Sequence, residues 1–190
     1  MSTHPNRPEA QAKLRLVGGD EPPSHALLAD FDALFHRFSP YVATIGLRIL
    51  GRDDELDDLV QEVFFEAHRG LDSLRDPGAI KGWLARITVR RATRRLRLRK
   101  LRRWLGFEPL VEESAELTGP DASPEQAAVV KAAYRVLDRL SAQERVVWVL
   151  RHVEGHGLDE IAALCRASKS TVQRRLRAAE AELRGRESDG

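Results

Sequence analysis

Apolar residues recur at steps of three and four over most of the chain. Phe31, Leu34, Phe35, Phe38, Val42, Ile45 and Ile49 form one stripe, which predicts an amphipathic helix that Gly51 ends. Leu56, Leu59, Val60, Val63, Phe64 and Ala67 form a second, in a helix beginning near Asp53 with acids in its first turn, where the helix dipole favours them. Between Gly70 and Gly82 the Asp-Pro-Gly chemistry predicts a loop or short helical turn, followed by a third helix from about Ala79 or Trp83. Trp83, Leu84 and Ile87 give that helix a core face. Beyond them Val89, Ala92, Leu96, Leu98 and Leu101 stand among arginines, which suits its second half to a surface groove.

Helical spacing stops over Leu105 to Pro124, where prolines, glycines and only acidic charge predict a flexible linker between two small domains. It resumes with Val130, Tyr134, Leu137 and Leu140. Ser141 and Glu144 form a capping box for a helix presenting Val146, Val147, Leu150 and Val153, which Gly155 and Gly157 interrupt. A short helix (LDEIAALC), a turn (RAS) and a last helix follow, with Ser168 as N-cap and Val172, Leu176 and Ala179 inward. No stretch alternates at period two. The prediction is an all-α chain: a flexible tail over 1–29, a helical domain over 30–103, an acidic linker over 104–124 and a helix-turn-helix domain over 125–186.

Composition adds less than distribution does. The net charge of +2, from 31 Lys and Arg against 29 Asp and Glu, names no polyanionic partner. By segment the picture reverses. Asp53 to Glu66 holds seven acids and no Lys or Arg, whereas Arg86 to Arg103 holds ten bases and no acid. Like charges at helical spacing repel, so ten uninterrupted bases call for something anionic beside them. Arg166 to Arg177 adds five more bases without an acid. The single Cys165 excludes an intramolecular disulfide framework and any multi-cysteine metal site. No apolar run approaches the roughly 20 residues needed to span a bilayer, and the N-terminus lacks the apolar core of a secretory signal. A cytoplasmic protein is expected, not itself a membrane protein, with no cofactor and no bound metal.

The last two helices carry the clearest chemistry. Two helices joined by a short turn, the second opening with small polar residues and bearing bases outward, match a helix-turn-helix. Ala162 stands where the helices cross, and Lys169, Ser170, Gln173, Arg174 and Arg177 face outward. Gln and Arg suit bidentate contacts to adenine and guanine, while Ser170, Lys169 and Arg175 suit phosphates. The plain alternative is a helix pair with a solvated basic face. Arg166 occupies a turn position that favours glycine.

Taken in order, DDLVQEVFFEAHR (Asp57 to Arg69), WLARITVRR (Trp83 to Arg91) and LDEIAALCRASKSTVQRRL (Leu158 to Leu176) resemble bacterial RNA polymerase sigma factors of the extracytoplasmic-function group. The resemblance covers about Phe31 to Leu183. It implies a non-enzymatic transcription factor that binds core RNA polymerase and directs initiation at promoter DNA. Asp57, Asp58, Gln61 and Glu62 are the implied polymerase contacts, with Phe64 in the core. Trp83, Arg86, Arg90, Arg91, Arg94 and Arg95 are the implied minus-ten contacts. Lys169, Ser170, Thr171, Gln173, Arg174, Arg175 and Arg177 are the implied minus-thirty-five contacts. An anti-sigma factor, often membrane-bound in this family, is the implied regulator. The chain departs from the family pattern at Arg90, Arg94, Ser170 and Ala178; the two arginines are expected to act mainly through phosphates.

Two other functions compete for these residues. A free-standing DNA-binding regulator leaves the acidic helix without a task. A metal-dependent enzyme would use Asp54, Asp58 and Glu62, which share a helix face but have no histidine among them, or His152 and His156, one helical turn apart without a third ligand.

Overall fold

The computed structural model describes residues 30–107 and 123–184. The expected tail over 1–29, most of the expected linker and the chain beyond 184 lie outside the described residues. Among the described residues there are seven α-helices, two 3-10 turns and no strand. The helices are α1 (Phe31–Leu50), α2 (Leu56–Gly70), α3 (Ile80–Trp104), α4 (Pro124–Leu137), α5 (Ala142–His152), α6 (Leu158–Cys165) and α7 (Lys169–Arg184).

Local chemistry sets the ends. The Asp30 carboxylate accepts the Ala33 N–H at 3.1 Å to open α1. Gly51, at φ 71°, closes it by donating to the Leu47 carbonyl at 2.7 Å, a left-handed conformation that costs glycine nothing. The loop after α2 coils into the turns Leu71–Ser73 and Pro77–Ala79, the second capped by Asp76, whose carboxylate accepts the Gly78 N–H at 2.8 Å. Capping boxes at Ser123 with Gln126 and at Ser141 with Glu144 open α4 and α5.

Helices α1, α2 and α3 pack pairwise around Leu34, Phe38, Val42, Ile45, Leu59, Val63, Leu84 and Ile87. Gly46 lets α2 approach: a Cβ there would lie 2.6 Å from Leu59 Cδ2. A second core, built on α5, α6 and α7, gathers Val147, Leu150, Ile161, Val172, Leu176 and Ala179. Val153 departs from its predicted inward place; it lies past the end of α5 and is exposed.

The two cores touch. Helix α3 packs against α5 and α6, and α1 against α5. The second half of α3 is therefore not the open groove face that its arginines predict. Val89, Ala92 and Leu96 are buried, and so is Arg99, because the second domain lies against them, while Leu98 and Leu101 stay exposed. Close approach also shows in the phenol of Tyr41 in α1, pushed up to about 12 by burial and by the Glu154 carboxylate of the second domain.

Between α6 and α7 the turn is made by a non-glycine residue. Arg166 sits at φ 49°, ψ 50°, and Ala167 N–H closes the turn on the Ala162 carbonyl at 3.0 Å. The Ser168 hydroxyl then accepts the Thr171 N–H at 3.2 Å and opens α7. A side chain in this region carries a backbone penalty of about 1 kcal/mol. Arg166→Gly is therefore expected to stabilise the fold by about 1 kcal/mol and raise the melting temperature by about 2–4 °C; an unchanged or lower melting temperature would show that the turn is unstrained.

Candidate nucleic-acid and polymerase interfaces

The acidic and basic blocks meet as facing rows on α2 and α3. Glu55, just before α2, accepts from Arg99 Nη2 at 3.2 Å and lies 3.6 Å from Arg95 Nη1. Glu62 accepts from Arg95 Nη2 at 2.7 Å and lies 3.4 Å from Arg91 Nη1. Glu66 accepts from Arg91 Nε at 3.0 Å and pairs with Arg90. The anion that relieves the arginine run is thus, for four of its members, the chain's own acidic helix. This orders the expected contacts into two sets. Arg91 and Arg95 are half-buried and engaged within the domain, and so is Glu62, whereas Asp57, Asp58 and Gln61 are exposed. Arg99 is held in the core, 4% exposed, with a further bond from Nη1 to the Leu50 carbonyl at 3.0 Å.

Arg90 and three further α3 arginines border the second domain. Arg86, Arg90, Arg94 and Arg97 line a cleft of about 480 Å³ with Arg166 and Arg175, over a floor that includes Val89, Val146 and Leu164. Burial lowers the Arg90 pKa, and the neighbouring Arg166 and Arg91 lower it further. Six guanidinium groups around one cleft form a concentrated anion-attracting field. Cys165 also lines it, with burial pushing its thiol up to about 11 and so away from the reactive thiolate. Trp83 is half-buried beside Gly70 and lines a shallower recess with Arg86, Arg90 and Arg166.

On α7 the outward residues are Lys169, Ser170, Arg174 and Arg177, all exposed, with Thr171, Gln173 and Arg175 half-buried. Lys169 pairs with Asp159 of α6 at 2.9 Å. Ser170 shares its hydroxyl with Ser168 at 3.0 Å, and Thr171 with Ser168 at 2.8 Å, which holds the start of the helix in one geometry.

The candidate metal sets do not assemble. Asp54 pairs with Arg52, whose bond lowers its pKa, and Glu62 faces Arg91 and Arg95. His152 stacks on Trp148 with centroids 4.9 Å apart, whereas His156 lies 3.6 Å from Glu160. No group of three or more potential ligands occurs among the described residues.

The helix order matches known proteins. The family model for Sigma-70 region 2 matches residues 34–103, and that for Sigma-70 region 4 matches residues 131–183. The chain is 31% identical over 154 residues to the ECF RNA polymerase sigma-E factor of Escherichia coli (strain K12), covering 77% of this chain and 80% of that protein. The chain belongs to the ECF sigma factors. It is also 30% identical over 166 residues to the sigma factor SigE of Mycolicibacterium smegmatis, covering 84% of this chain and 62% of that protein's length. Among solved structures it is similar to CnrH in complex with the cytosolic domain of CnrY, with a TM-score of 0.54 and 26% identity over 83% of this chain and 90% of that one.

On the sigma region 2 domain the structure adds a residue that the sequence reading passed over. Phe65 is 66% exposed. It lies one turn beyond Gln61, on the same face as Asp58, and Arg69 stacks on its ring at 5.8 Å. An aromatic residue off the apolar stripe was the available signal. Phe64, by contrast, is buried against Phe31 and Phe35.

The facing rows make a stability prediction. Glu55→Gln leaves the buried Arg99 and half-buried Arg95 short of a carboxylate and is expected to cost about 3 kcal/mol. Glu62→Gln, on the solvent side of the row, is expected to cost less than about 1 kcal/mol. Denaturant unfolding of the two variants checks the order; equal losses would mean the row acts as one unit.

Proposed function

We propose that this chain is a sigma factor that binds core RNA polymerase and directs promoter-specific initiation, with 30–103 and 125–186 as its two functional units. The observation that carries the reading is the separation of chemistries on one chain. An exposed acidic face on α2 suits a basic protein partner, and a helix-turn-helix with free arginines suits duplex DNA. Initiation factors of this class catalyse no reaction themselves, and the chain is accordingly not an enzyme.

Asp57, Asp58, Gln61 and Phe65 would make the polymerase contact, an aromatic anchor beside two carboxylates and an amide. Glu62 stands behind them and fixes the arginine row. Arg86, Arg90 and Arg94, with Trp83, would meet the minus-ten element, where arginine can hold the backbone of a melting duplex and stack on exposed bases. Arg91 and Arg95 act mainly by holding α3 on α2. In α7, Arg174 and Gln173 would read bases, while Lys169, Ser170, Thr171, Arg175 and Arg177 would hold phosphates and set the register. No described helix is long and apolar enough to cross a membrane; we place the protein in the cytoplasm, beside the polymerase. CnrH was solved with the cytosolic domain of CnrY, and a comparable anti-sigma factor is the regulator we expect here.

Two experiments test this. Charge reversal at Asp58 (Asp58→Lys) combined with Gln61→Lys in the full chain should abolish co-purification with core polymerase and leave duplex DNA binding unchanged. If that variant still associates and supports transcription, the polymerase face has been misplaced; if the wild-type chain never associates, it is a free-standing DNA-binding regulator. Arg174→Ala should cost about 1–3 kcal/mol on the preferred sequence and relax preference at one base pair, while Lys169→Ala should weaken all sequences alike and lower the salt slope by about one. Equal losses on every sequence for both variants would remove Arg174 as a base reader.

A further inference from the structure

Where the two domains meet, positive charge stands against positive charge. Helix α3 supplies Arg86, Arg90, Arg94 and Arg97 to the cleft of about 480 Å³, and the helix-turn-helix supplies Arg166 and Arg175. All but the half-buried Arg175 are exposed, so their guanidinium groups are open to a ligand from solvent. Of the six, only Arg90 has a carboxylate partner among the described residues, Glu66. The charges act on one another across the domain boundary: after burial, Arg166 is the largest cause that lowers the Arg90 pKa. Cations gathered in this way repel, and an anion placed among them turns the repulsion into attraction.

The cleft is not only charged. Buried Val89 and Val146, with half-buried Leu164 and Ala167, give it an apolar floor. Thr93 and Gln143 stand in the same cleft, and the Thr93 hydroxyl already donates to the Val89 carbonyl at 2.6 Å, which leaves it to accept from a ligand. A volume of about 480 Å³ lies within the roughly 300–1,000 Å³ of small-ligand sites, room for a nucleotide rather than for a stretch of duplex. Guanidinium groups match phosphate oxygens in bidentate fashion. An apolar floor suits the face of a flat base, and an amide and a hydroxyl suit its edge.

We infer that this cleft is a binding site for a nucleoside polyphosphate, its phosphates held between the α3 arginines and Arg166 with Arg175, its base on the floor of Val89, Val146 and Leu164. One bound ligand thereby neutralises cations from both domains. Arg86, Arg90 and Arg94 are also the residues proposed for the minus-ten element, so the ligand and a melted DNA strand compete for them. That competition rests on the sigma-factor reading; binding of the ligand does not.

Isothermal titration calorimetry of the full-length chain, without polymerase or divalent cations, tests the site with ATP, inorganic tripolyphosphate and adenosine as probes. ATP should bind once per chain, about tenfold tighter than tripolyphosphate, with adenosine weaker than either. Arg97→Gln and Arg166→Gly should each weaken ATP binding about tenfold. Arg102→Gln and Arg184→Gln, at exposed arginines that do not line the cleft, should leave it unchanged. Arg166→Gly is the sharper variant, because it removes a charge and at the same time relieves the left-handed backbone at φ 49°. Its melting temperature without ligand should rise while the further rise that ATP gives the wild-type chain shrinks, a pair of changes that a damaged fold cannot produce. Equal losses in the cleft variants and the two outside it would mean diffuse attraction to a basic surface and overturn the site, as would the absence of ATP binding. ATP no tighter than tripolyphosphate would overturn the nucleoside assignment. Displacement of a labelled single-stranded oligonucleotide by ATP is scored separately, so failure of the sigma-factor reading is not mistaken for failure of the site.

Discussion

The C-terminus of α1 is the point on which the structure converges. The Leu50 carbonyl accepts from Arg99 of α3 and from Arg145 of α5, so one acceptor ties together the long basic helix, the first helix and the second domain. Two guanidinium groups can share it because each has its own carboxylate, Glu55 for Arg99 and Asp138 for Arg145. Burial lowers the Arg145 pKa, which Asp138 opposes. A buried arginine without such partners would be strongly unfavourable. Gly51, beside the shared acceptor, leaves the space that both domains need.

Charge is organised around this point. The net charge of +2 reflects near-cancellation between blocks, and much of that cancellation is physical contact between α2 and α3 rather than bookkeeping along the chain. Arg91, Arg95 and Arg99 repeat every four residues, so they fall on one helix face and meet Glu55, Glu62 and Glu66. Arg86, Arg94 and Arg97 have no carboxylate partner among the described residues, and they line the cleft. Arginines that hold the fold are thereby separated from arginines available to nucleic acid, within one run of sequence.

Much of this could be read from the chain. The helical stripes, the Ser141 capping box, the Ser168 cap and the helix-turn-helix are local, and local periodicity and capping chemistry predict them. Arg166 at a position that prefers glycine stood out in the sequence and has the left-handed backbone there. What escaped sequence reading is what depends on distant partners. Arg145 reads as an ordinary helix residue, and its role appears only when α5 lies across the end of α1. Val89, Ala92 and Leu96 suit a surface groove on sequence alone because their packing partners are on a separate domain. The division of the arginine run follows from the pairing of α2 with α3, which neither block reveals alone.

The interface between the two domains, built on the C-terminus of α1, is expected to hold in the free chain and to part at a promoter, whose two elements lie farther apart than one cleft spans. The most direct measurement is the distance between labels at Asp72→Cys and Glu182→Cys, in a Cys165→Ala background, by pulsed electron spin resonance. Both label sites are exposed, one in each domain. In the free chain the account predicts a single, narrow, short distance, which lengthens by tens of ångström once core polymerase and promoter DNA are added. A distance that is the same in the free and promoter-bound chain would contradict it.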